Sequence, residues 1–89
     1  MSHVQVFVAR SRECAGLFRL GRDVEAGLVM VELFGELDSV LGQGGEECRL
    51  LWTSLLVEML DCQERQNWLG LADYLEYELV ELLEAGRNA

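Results

Sequence analysis

Covalent or acid–base chemistry needs a nucleophile beside a base, and this chain offers few of either. Its single His, His3, lies near the start, and its three thiols, Cys14, Cys48 and Cys62, fall at apolar positions. Carboxylates are plentiful, with Glu76, Glu78 and Glu81 crowded into one stretch. A general acid, however, needs an apolar pocket to raise its pKa, and helical spacing places these three on a wet face. Three Cys without a CxxC pair, helped by one His, do not make a zinc site. No GxxxxGK[ST] or GxGxxG occurs, and the glycines Gly42, Gly44 and Gly45 follow no strand, as a phosphate loop would. The residue types therefore predict no enzyme, no metal and no cofactor.

Charge narrows the partners. The formal net charge is −9 and every cation is Arg, so nucleic acid, which rewards a basic face, is not expected as a partner. The charge is uneven: residues 1–22 hold four Arg against one Glu, whereas residues 23–89 hold three Arg against fifteen acids. Either the basic head packs beside acidic helices and complements them, or it forms a binding surface. The odd number of Cys fits free thiols in a reducing cytoplasm. Met1 to Ala9 lacks the basic start and continuous apolar run of a signal peptide. Leu50 to Leu60, the greasiest run, is too short and too polar to span a bilayer, so no membrane is expected.

What would position such surfaces is a set of helices. With 89 residues, half of them hydrophobic and none Pro, the chain has room for one modest helical core over residues 1–89. The clearest element is residues 68–85, where Trp68, Leu71, Ala72, Leu75, Leu79, Leu82 and Leu83 recur at three-and-four spacing. Its other side, Asp73, Glu76, Glu78, Glu81 and Glu84, contains no basic residue and reads as a band of negative charge.

Taken in order, residues 3–20 begin with an alternating Val4–Val8 run. Even so, Val4, Phe7, Val8, Ser11, Cys14, Ala15 and Phe18 make one helical stripe, and a lone strand would have no partner. Gly21 is placed to end this helix and Asp23 to cap the next. Helix two, residues 24–41, is apolar on two sides: Ala26, Val29, Met30, Leu33, Leu37 and Val40 on one, Val24, Leu28, Val31 and Phe34 on the other. A helix so apolar belongs in the middle of a bundle or meets a partner on its uncovered side. Gly27 and Gly35 share a face and lower helix propensity by about 1 kcal/mol each, a cost that close helix approach would offset. After the Gly42–Gly45 linker, helix three, residues 46–66, carries Cys48, Leu51, Trp52, Leu55, Met59 and Cys62 as its buried stripe, flanked by Leu50, Leu56, Val57 and Leu60. The join to residues 68–85 rests on Asn67, as a left-handed residue or an N-cap; the alternative is one long fused helix. The expected fold is an all-α, antiparallel up-and-down bundle of four helices, or three if the last two fuse.

Two segments resemble known families. Phe18 to Ala26, FRLGRDVEA, resembles the join of a tetratricopeptide repeat, but nothing similar recurs about 34 residues on, so no array is expected. Residues 63–79, QERQNWLGLADYLEYEL, resemble the C-terminal signature of small uncharacterised helical proteins of flagellated bacteria, similar in size and helix pattern to FliS-type flagellar export chaperones. Asn67 stands where that signature has Asp. The resemblance implies a bacterial cytoplasmic protein acting by contact with other proteins. The expected function is a non-enzymatic interaction module, a small secretion or flagellar chaperone or adaptor that presents an apolar groove to a partner helix. In the absence of a client the chain is expected to form a homodimer through a self-complementary patch that includes helix two, and the alternative function is a self-associating homodimer subunit with no client. The interface residues expected are Val24, Leu28, Val31 and Phe34, with Glu76 and Glu81 as an acidic rim.

Overall fold

The computed structural model describes residues 3–87, with side chains through Ala85; Met1, Ser2, Asn88 and Ala89 of the expected domain lie outside the described residues. Every regular element in it is helical: α1 (His3–Arg19), α2 (Asp23–Gly42), α3 (Glu46–Glu64), and a fourth helix of three consecutive pieces, α4 (Trp68–Asp73), a π-helical turn (Tyr74–Glu78) and α5 (Leu79–Arg87). The alternating Val4–Val8 run is helical, because only a helix lets Phe7, Val8, Ser11, Cys14, Ala15 and Phe18 reach one core.

Three sharp joins make the bundle antiparallel. At the first, Gly21 takes φ 76°, the Gly21 amide donates to the Phe18 carbonyl at 3.1 Å, and the Arg22 amide donates to Leu17 at 3.0 Å. These are the two bonds of a Schellman stop, and the left-handed residue is the glycine that suits it. Asp23, expected as the N-cap of α2, is not the cap: Arg22 takes that position and Asp23 opens the first turn with Glu25, where the macrodipole favours a carboxylate. The Gly42–Gly45 linker turns the chain into α3, whose first residues are Glu46 and Glu47. The third join repeats the Schellman pattern with bonds from Asn67 to Cys62 and from Gln66 to Gln63, but here the left-handed residue is Gln66, φ 58°. Asn67 is the N-cap, its Oδ1 accepting from the Gly70 amide at 3.1 Å. A Cβ on Gly70 would stand 2.5 Å from the Asn67 amide nitrogen, so this cap requires glycine. The break separates helices three and four, and the bundle has four helices.

Around the core, α1 packs on α2 and on the fourth helix, and α3 packs on the other sides of those same two. This is the up-and-down ring in which consecutive helices are neighbours. One aromatic pair stands at each of two seams: Phe18 of α1 stacks on Trp68 at 5.6 Å, and Phe34 of α2 meets Trp52 of α3 edge-on at 5.7 Å. Trp52 is 1% exposed and satisfies its indole N–H on Asp38 at 3.2 Å. The basic head complements its acidic neighbours: Arg10 bonds Glu36 of α2 at 2.7 Å, and Arg19 bridges Asp73 and Glu76 of the fourth helix at 2.7 and 2.9 Å.

The π turn changes which residues the fourth helix buries. The Leu79 amide reaches back five residues to the Tyr74 carbonyl, so it does not serve Leu75, its α-helical partner. The buried hydroxyl of Ser11 donates to the Leu75 carbonyl instead. One extra residue in the turn shifts the phase of everything after it. Leu71, Ala72, Leu75, Leu79 and Leu83 are buried as the stripe predicts, but past the turn Val80 joins them and Leu82 is half-buried; Trp68, ahead of the turn, is half-buried where it stacks on Phe18.

Candidate protein-interaction surfaces

Each expected interface residue takes a definite place. Val24, Leu28 and Val31 point outward from α2 and are 78%, 71% and 67% exposed. Phe34 does not join them: Trp52 draws it into the seam with α3, where it is 8% exposed. The buried arc of α2 is thereby turned toward α3. Leu41 goes in, and Val40, expected in the core, is exposed. Helix two is thus not the middle of the bundle; α1 and α3 cover its inner arc and nothing described covers the outer one. Gly27 and Gly35 border that outer arc. A Cβ at either would meet nothing within 4 Å, so close approach within the chain does not explain them.

The acidic rim is divided. Glu76, half-buried, and Asp73, exposed, are both held by Arg19, so the fourth helix is not the unneutralised band its sequence suggests. Glu78 and Glu81 are exposed, with no ion pair among the described residues. They edge a shallow groove of about 240 Å³ between α3 and α5, whose floor is Leu51, Leu55, Leu82 and Ala85. Leu51 was expected in the core but is 52% exposed. Its helical row, Glu47, Leu51, Ser54 and Glu58, is otherwise polar, a signal in the sequence that this leucine stands at a boundary. Leu50, Val57 and Leu60, also on α3, are exposed too.

Cys14 and Cys62 are buried, Cys48 is half-buried, and all are free. Burial, with Glu13 nearby, pushes the Cys14 thiol up to about 12, the reverse of an activated nucleophile, and its sulfur donates to the Ala26 carbonyl at 3.5 Å. Among the described residues no group of three or more His, Cys, Asp or Glu side chains is placed to hold a metal ion. No described helix is long and apolar enough to cross a membrane. Another small cleft, of about 160 Å³, opens at the end of the bundle between Phe7, Val40, Leu41, Cys48 and Leu83, with an apolar lining and His3 at its margin. No family model, curated protein or solved structure matches this chain.

Proposed function

We propose that this protein is a non-enzymatic interaction module that holds an amphipathic helix of another protein in the groove between α3 and α5. The observation that carries this reading is the pairing of an apolar floor, Leu51, Leu55, Leu82 and Ala85, with unpaired carboxylates of Glu78 and Glu81 along its edge. An apolar floor takes the leucine face of a helix, and an acidic edge selects one with Arg or Lys beside that face. The role implied by the resemblance of residues 63–79, a secretion or flagellar chaperone or adaptor in a bacterial cytoplasm, is one such use.

The test is titration of the full chain with a synthetic amphipathic helix bearing Arg along its leucine stripe, read by calorimetry. Binding should weaken with salt, and should drop at least about tenfold in Leu51→Glu and in Glu81→Arg. Equal binding of the same peptide with Glu in place of Arg would overturn the reading.

The second reading, a self-associating subunit without a client, is favoured by a different observation: the outward apolar arc of α2, which no described part of the chain covers.

A further inference from the structure

From the outer face of α2 we infer that it is a homodimer seam, in which α2 packs antiparallel on α2 of a second copy with Val24 of each seated over Gly35 of the other. The inference deepens the second reading above and does not depend on the groove.

Three observations choose the occupant and the register. Val24, Leu28, Val31 and Gly35 follow one another at four-, three- and four-residue steps, so they form a single straight row on a helix surface. That row is bulky at its start and hollow at its end. Val24, Leu28 and Val31 project, whereas Gly35 leaves open space where a Cβ would stand. Two copies laid parallel would set Val24 against Val24 and leave a gap between the two glycines. Laid antiparallel about a two-fold axis between Leu28 and Val31, each bulky end meets the partner's hollow end, and Leu28 faces the partner's Val31. A surface complementary to itself under a two-fold rotation is what an isologous dimer requires.

The antiparallel arrangement also opposes the two helix dipoles. Area points the same way. The row alone is short of the roughly 1,000 Å² that a specific interface needs, and Val57 and Leu60, exposed on neighbouring α3, supply apolar surface to extend it. Because the groove lies between α3 and α5, across the bundle from the outer arc of α2, a dimer leaves both grooves open.

Gly35 allows a test that separates register from fold. Gly35→Leu fills empty space in its own protomer, so the variant should stay helical by circular dichroism, yet it should weaken dimerisation in sedimentation equilibrium at least about tenfold. Leu28→Glu with Val31→Glu should give a folded monomer that still binds the Arg-bearing helix in the groove. Wild-type protein that stays monomeric at high concentration would overturn the dimer. A dimer unaffected by Gly35→Leu would overturn the antiparallel register. Loss of the groove without loss of the dimer would fault the proposed function and leave this inference standing.

Discussion

The hydroxyl of Ser11 donates to the main-chain carbonyl of Leu75, 64 residues further on, and both residues are fully buried. This bond tells what the helix gained by opening into a π turn: the carbonyl that lost its Leu79 donor is satisfied from α1. Among the described residues Ser11 is the one buried polar residue in a core otherwise built of apolar side chains, and its hydroxyl serves the backbone of a neighbour. Ser11→Ala should leave that carbonyl unsatisfied and destabilise the fold by about 1–3 kcal/mol in a urea melt. A loss near zero would mean that the turn relaxes to regular α-helix without the serine, and that Ser11 is not what holds it.

That pair also marks where a periodic reading of the sequence stops. Four helices, their order and the joins at Gly21, Gly42–Gly45 and Asn67 are legible because periodicity, glycine and a capping side chain are local signals. The π turn has no such local signal: the carbonyl it frees is served by a serine on another helix, and past the turn Val80 is in the core while Leu82 is half-buried. The same limit bears on Phe34 only in part. Phe34 stands four residues after Met30, three before Leu37 and seven before Leu41, so spacing within α2 already sets it at the edge of the buried arc and apart from Val31; what α2 alone does not show is the Trp52 ring, 18 positions away on α3, that covers it. Arg19 likewise neutralises Asp73 and Glu76 from outside their helix, so the acidity of a helix face could not be judged from that helix alone.

Leu75 and Glu78, three residues apart on the fourth helix, should respond oppositely to truncation. Leu75 is fully buried at the centre of the core, so Leu75→Ala leaves a cavity and should cost about 2–5 kcal/mol. Glu78 is exposed, and Glu78→Ala should cost less than about 0.5 kcal/mol. Similar shifts in denaturation midpoint would contradict the assigned faces.

Gln66 occupies the left-handed position that Gly21 fills at the first join, and it carries the Cβ penalty that glycine avoids. Gln66→Gly should therefore raise stability by about 0.5–1 kcal/mol, an unusual direction for a glycine substitution. A destabilised variant would show that the Gln66 side chain makes a contact worth more than the strain.

The thiols should react in order of exposure. Cys48 is half-buried beside the end cleft and should be modified first by a disulfide reagent in the native protein. Cys14, buried and pushed up to about 12, should wait for unfolding, as should Cys62 at 3% exposed. Early modification of Cys14 would place an opening between α1 and α2 that the packing does not contain.

The Arg10–Glu36 pair gives a pH dependence with a definite sign. The hydrogen bond from Arg10 holds Glu36 below the usual carboxylate range, partial desolvation opposes this, and the attraction of the guanidinium adds to it. A carboxylate whose folded pKa is lowered stabilises the fold at pH above its ordinary value of about 4.3, and that contribution is lost as pH falls through the lower folded value. Both side chains remain partly open to solvent, so the effect on stability should be small and should shrink with added salt. Removing the cation isolates it: in Arg10→Ala the Glu36 carboxylate, followed by side-chain NMR, should titrate at higher pH than in wild type. An unchanged titration would mean that Arg10 does not stabilise the Glu36 carboxylate, and that this pair contributes nothing to the α1–α2 seam.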